Sequence, residues 1–179
     1  MSAAPLPPPG RPFETARLWL EPIVPEHAKA LYAPLQDPLL YRYVSQLPPE
    51  SESALRRRFE QLATGRSPDG SQIWLNWAAR AKTGPYVGLV QATIEVDHAL
   101  IGYDIFVPFW RHGYGKEACG AMIDAALREY GVTSVNAIVD ADNAASIALL
   151  EGLGFSRAWT GPSDDMPGHT DHRYELALG

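Results

Sequence analysis

The chain has one cysteine, Cys119, among 179 residues, which excludes an internal disulfide. A catalytic thiol would want a positioned histidine partner, whereas Cys119 falls in a helical pattern, where a small buried hydrophobe is the ordinary use of the residue. Positive charge is scarce: 15 Lys and Arg against 21 Asp and Glu leave a net −6, which argues against nucleic acid as the main partner. No apolar run approaches the roughly 18 residues of a membrane span, so no membrane partner is expected. The first thirteen residues hold five prolines and no apolar stretch, so residues 1–13 read as an extended or disordered arm and not as a signal peptide. The cytoplasm is the expected compartment. Residues 14–179 fit one domain with a single core.

Within that domain, alternation from Ala16 to Glu21 predicts a strand ended by Pro22, and a short helix follows over 25–33. Leu55, Phe59 and Leu62 repeat at helical spacing behind Ser51 and Ser53, and Gly65 stops that helix. The Arg56-Arg57-Arg58 triplet reads as its solvated face. Three strands come next, at 73–79, 87–96 and 99–107, the first two connections being antiparallel hairpins. From Gly115 the pattern is helical, with Ala118, Met122, Ala126, Leu127 and Tyr130 on one face and Gly131 as C-cap. A strand at 134–139, a short helix at 144–152, a strand at 155–160, a polar loop and a last strand at 173–178 complete the chain.

The most informative stretch is Trp110 to Ala118, W-R-H-G-Y-G-K-E-A, a glycine-hinged turn from a strand into a helix. A helix N-terminus holds unpaired N–H donors and a partial positive charge, so such a turn is a cradle for a pyrophosphate. Nucleotides and coenzyme A are the natural ligands. A P-loop needs glycine five positions before the Gly-Lys pair and a hydroxyl residue directly after it; Trp110 and Glu117 fill those places. A Rossmann fingerprint is not met either, because the Gly113-x-Gly115 turn follows a late strand and Cys119 falls near the place of its third glycine.

The second stretch is Asn143-Ala-Ala-Ser-Ile-Ala-Leu-Leu-Glu-Gly-Leu-Gly-Phe155. In this order and spacing, G-Y-G-K-E-A and N-x-x-S-x-x-L-L-E-x-L-G-F resemble the GNAT superfamily of acyl-CoA N-acyltransferases, in its RimJ/RimL-type branch. Thr15 to Pro22 and Ile101-Gly102-Tyr103 resemble that branch too. The resemblance implies a GNAT-like α/β fold (α+β, mixed sheet). It would be a predominantly antiparallel six- to seven-stranded sheet flanked by about four helices, splayed between the strand before the cradle and the strand after its helix.

It also implies an acyl-CoA in that splay, with acetyl-CoA as co-substrate and no metal. Main-chain contacts to the pantetheine arm fall on Ile105, Phe106 and Val107, and phosphate contacts on Arg111, His112, Gly113, Tyr114, Gly115 and Lys116. Asn143, which reads by itself as an N-cap, would also contact the pantetheine arm. Leu150 stands where many members carry a thiolate-protonating tyrosine, leaving Ser146 as the candidate for orienting or protonating the sulfur. Leu100 replaces a glutamate common in the branch, so Glu95 and Asp104 are the candidate bases, alongside a water chain or no dedicated base.

The expected partners are acyl-CoA and a primary amine, either a protein N-terminus or a small molecule, in a groove lined by the first two helices and the loop before the last strand. Tyr32, Tyr41, Tyr43 and Trp74 are candidate lining residues. His169-Thr-Asp-His172 offers no complete metal-ligand set and reads as loop polarity. A non-catalytic acyl-CoA sensor is the competing function. The sequence carries no sign of oligomeric state.

Overall fold

The computed structural model describes residues 10–179. Most of the expected N-terminal arm lies outside the described residues, and the part within them joins the domain. Phe13–Glu14 (β1) pairs antiparallel with Leu18–Pro22 (β2), the Phe13 ring packs edge-on against Trp77, and the Trp77 indole donates to the Arg11 carbonyl at 3.0 Å.

β3 (Ile73–Ala81), β4 (Tyr86–Glu95), β5 (His98–Ile105), β6 (Ser134–Asp140), β7 (Ser156–Pro162) and β8 (Thr170–Ala177) complete an eight-stranded sheet. Its order is β1-β2-β3-β4-β5-β6-β8-β7. Every neighbouring pair is antiparallel except β5 and β6. The sheet exceeds the expected six to seven strands because β1 is added at one edge. β8 begins at Thr170, before the predicted 173, so His172 lies within a strand and not in a loop.

Period-2 alternation gives the sheet two faces. Leu75, Trp77, Val90, Ala92, Ile101, Val135, Ala137 and Val139 point to one face and are buried with Ala118, Cys119, Met122 and Leu150. That face carries α3 (Tyr114–Ala121) and α4 (Ala144–Gly152). The other carries α1 (Ala28–Leu31) and α2 (Glu52–Leu62), whose Leu31, Leu55 and Phe59 bury Ala78 and Phe106. Ser51 caps α2 by accepting from the Ala54 N–H at 3.1 Å, and Gly65 ends it in the left-handed region at φ +71°. The helix predicted from Gly115 to Tyr130 is not uniform. It is α-helical to Ala121, widens to a π turn over Met122–Ala126 and tightens to a 3-10 turn over Leu127–Tyr130, so that Met122 and Ile123 are both buried.

Candidate active site

β5 and β6 start together and part. Their parallel ladder runs through His98↔Ser134, Ala99↔Val135 and Leu100↔Asn136 and stops there, while both strands continue, to Ile105 and Asp140. Phe106 donates its N–H to Val87 at 2.9 Å, and main-chain direction alternates along a strand. Residues 102, 104 and 106 therefore turn their peptide groups toward β4, whereas Ile101, Tyr103 and Ile105 turn theirs into the gap. Of the three expected main-chain contacts, Ile105 directs its N–H there, whereas the Phe106 N–H is taken by Val87. The Ile105 carbonyl already accepts from the Trp110 indole. Phe106 is committed to Val87 and Phe109, and the Val107 carbonyl accepts from the Trp110 N–H.

The gap leads to the cradle. Gly113 is the N-cap of α3 at φ +78°, a conformation glycine adopts without a Cβ penalty, and having no side chain it caps nothing. The N–H groups of Tyr114, Gly115 and Lys116 are the first-turn donors that no helical carbonyl can reach. Arg111 also adopts a positive φ, +62°, costly for a residue with a Cβ and common at ligand clamps. The backbone is braced from outside: Arg17 donates from Nε to Glu117 at 2.6 Å and from its guanidinium to the His112 carbonyl at 2.9 Å. Its guanidinium also stacks 4.5 Å over the Tyr114 ring. Burial raises the Glu117 carboxyl, but hydrogen bonds from Thr15 and Arg17 outweigh that and hold it below the ordinary glutamate range. Lys116 turns away from the cradle. Its ammonium lies against Gly152, at the C-terminal end of α4, where the helix dipole favours a cation.

Asn143 opens α4 and accepts from the Ser146 N–H at 3.2 Å through Oδ1, which leaves its amide NH2 group for other partners. Across the gap, the Tyr103 hydroxyl lies 3.5 Å from the Ser146 carbonyl oxygen. Burial pushes this phenol up, so it stays a neutral donor. The signal for Tyr103 in the sequence is strand alternation, which turns it to the same face as α4.

Asp104 projects to the opposite face, into a crevice of about 40 Å³ lined by Tyr41, Leu55, Arg58, Phe59, Asn76 and Gln91, among others, room for only a small number of waters. Burial raises the Asp104 carboxyl, and the positive charge of Arg58 pulls it the other way. Arg58 is exposed, as expected of a solvated helix face, and it also lines the crevice, where its charge reaches Asp104. Of the four aromatic residues named for the groove, Tyr41 lines this crevice. Glu95 does not come near: it pairs with His98 at the far end of β5 and accepts from the Gln72 side chain. Six residues along β4 separate it from Leu89, which faces Asp104, and at the rise of a strand that is about 20 Å. No cluster of three or more metal-ligating side chains occurs among the described residues, nor does a helix long and apolar enough to cross a membrane.

With this geometry in place, the comparisons with known proteins decide the family. The model described as acetyltransferase (GNAT) domain matches residues 17–156, which span both the cradle and α4. The chain belongs to the GNAT acetyltransferase family. Among relatives in sequence, the uncharacterized N-acetyltransferase YoaA of Bacillus subtilis is 26% identical over 149 residues, covering 81% of this chain and 82% of YoaA. The FsC-acetyl coenzyme A-N(2)-transacetylase of Aspergillus fumigatus is 28% identical over 155 residues, covering 83% of this chain and 66% of that enzyme. The GNAT fold is shared with RimL, the ribosomal L7/L12 α-N-protein acetyltransferase solved in complex with coenzyme A. The TM-score is 0.82 at 16% identity, over 94% of this chain and 98% of RimL.

Proposed function

We propose that this GNAT protein transfers an acetyl group from acetyl-CoA to a primary amine by direct attack in a ternary complex, as a cytoplasmic enzyme of the RimJ/RimL type. The observation that carries this reading is the continuity of the strand gap with the open N-terminus of α3. One end offers main-chain groups of Tyr103 and Ile105 to the amides of a pantetheine arm, and the other offers first-turn N–H donors to a pyrophosphate. RimL, similar in fold, was solved with coenzyme A.

Asn143 and Ser146 stand at the start of α4, beside the gap, where the thioester sulfur would lie. The leaving group needs little help, because a thiol with pKa of about 8.5 departs well as thiolate. Ser146, with Tyr103 behind it, orients or protonates that sulfur. The acceptor approaches from the α2 face, where Asp104 draws a cationic amine toward the sheet. An α-amine at about 8 is readied for attack more easily than a lysine ammonium at about 10.4. Both a protein N-terminus and a small-molecule amine therefore fit.

The test is release of coenzyme A thiol from acetyl-CoA with a panel of Ser- and Ala-starting peptides, polyamines, amino acids and an aminoglycoside. Acceleration by one class establishes the transfer and names its acceptor. Acetyl-CoA binding with a flat response across the panel counts against it and in favour of a sensor.

A further inference from the structure

His169 stands in the turn between β7 and β8, closed by its N–H to the Met166 carbonyl at 3.0 Å and by its carbonyl accepting from Ser163 at 3.0 Å. Its Nδ1 lies 2.6 Å from Oδ2 of Asp140, whose side chain is 2% exposed against 38% for His169. The other carboxylate oxygen of Asp140 accepts from the Asp142 N–H at 2.8 Å. Asp140 is therefore fully engaged and fixed. It sets the imidazole tautomer, with the proton on Nδ1 and the lone pair on Nε2. Among the described residues nothing engages that Nε2.

The position of the pair is as telling as its chemistry. Asp140 is the last residue of β6, the strand that has parted from β5, and its carbonyl accepts from the Asn143 N–H at 2.9 Å. It is thus tied to the turn that opens α4 and presents Ser146. Val135, Ala137 and Val139 point to the α3 face, so alternation turns Asn136, Ile138 and Asp140 to the other face, the one that Asp104 occupies on β5. Asp104 and Asp140 accordingly lie on the same face of the sheet, on the two strands that part, with His169 bonded to the second. His169 also lies beyond residues 17–156, which match the family model, so the pair is completed by a part of the chain outside that match.

We propose that His169 is the general base of the transfer and that Asp140 is its positioning residue; this rests on the acetyl-CoA reading above. The Nε2 lone pair takes one proton from the acceptor ammonium. The freed amine nitrogen bonds to the thioester carbonyl carbon and the C–S bond breaks. The thiolate ends as thiol with the second N–H proton, and His169 returns its proton to water. Asp104, within reach of the Arg58 charge, attracts the cation, whereas the partly exposed His169 takes its proton. Each carboxylate thus has a separate task.

The test compares His169→Gln and Asp140→Asn with the wild type in thiol release, using a Ser-starting peptide as the ammonium acceptor and hydroxylamine as an acceptor already neutral at pH 7. Circular dichroism and the acetyl-CoA Kd are followed in parallel. His169→Gln is expected to lower kcat with the peptide by roughly 10²- to 10⁴-fold, as for one acid-base group, with a far smaller loss on hydroxylamine and an unchanged Kd. Asp140→Asn is expected to give a smaller loss with the same acceptor pattern. Equal losses on both acceptors, or no loss on either, overturn the base role while leaving acetyl transfer standing. A wild type that binds acetyl-CoA and is accelerated neither by these two acceptors nor by any amine of the panel above overturns the transfer, and this role with it.

Discussion

Arg17 and Glu117, one hundred positions apart in the chain, are joined twice. The Arg17 Nε meets Oε2 of Glu117 at 2.6 Å, and the Arg17 main-chain N–H donates to Oε1 at 2.9 Å. The pair ties the start of β2 to the first turn of α3, and the same guanidinium reaches the His112 carbonyl inside the cradle. Arg17→Ala is expected to raise the KM for acetyl-CoA by about tenfold, the loss of about 1.4 kcal/mol of preorganisation, with kcat little changed. Steady-state kinetics at saturating amine check this. Because the folded-state pKa of Glu117 is depressed, its contribution to stability is present above the unfolded glutamate value of about 4.3 and is lost as pH falls through the lower folded value. Glu117→Gln should therefore lower Tm at pH 7, with the difference from wild type shrinking in acid.

Gly115 concerns packing where Gly113 concerns backbone angle. A Cβ at Gly115 would come within 2.7 Å of Leu149 Cδ1 and 3.2 Å of Ile105 Cγ1, so an added methyl would displace the Leu149 side chain and crowd Ile105 where α3 meets β5 and α4. Gly115→Ala is expected to cost about 1–3 kcal/mol as an overpacked site and to weaken acetyl-CoA binding. Gly113→Ala, at φ +78°, should cost about 1 kcal/mol through strain. Urea denaturation with acetyl-CoA titration separates the two effects.

Ser146→Ala is expected to slow turnover by no more than about three orders of magnitude, the range of one acid-base group, at unchanged acetyl-CoA affinity. Its N–H still caps on Asn143, so the helix start survives. Abolished activity with binding intact would show that the serine does more than orient the sulfur.

Asp104→Asn divides stability from function. Burial raises the folded pKa of this carboxyl, so folding favours its protonated form, and the benefit is lost as pH rises through the folded value. At neutral pH the ionised group is a burden in the folded state. The asparagine variant should therefore have a higher Tm than wild type at pH 7, with the gap closing in acid, and a KM for a cationic acceptor raised by about tenfold through loss of the attracting charge. A lower Tm at pH 7 contradicts this account of the crevice.

The donor half of the proposed site is legible in sequence because main chain would make it. Two glycines and a strand-to-helix turn mark a cradle whatever side chains surround it, and Asn143 three residues before Ser146 is a local capping signal. The proposed acceptor half is not, because side chains distant in sequence would build it. Glu95 and Asp104 look alike as isolated acidic residues on neighbouring strands. Only the register, which sets Glu95 opposite His98 and Asp104 opposite Leu89, tells which one stands in the crevice against α2. His169 reads as loop polarity until β6 brings Asp140 to it. Lys116 shows the converse: a basic residue in the right turn whose side chain runs to another helix.

Amide hydrogen exchange with and without acetyl-CoA tests the central claim most directly, since the claim concerns particular N–H groups. The account predicts protection concentrated in residues 113–116 and at Tyr103 and Ile105, with no comparable effect of ATP. Protection confined to other segments, or equal protection by ATP, would contradict it.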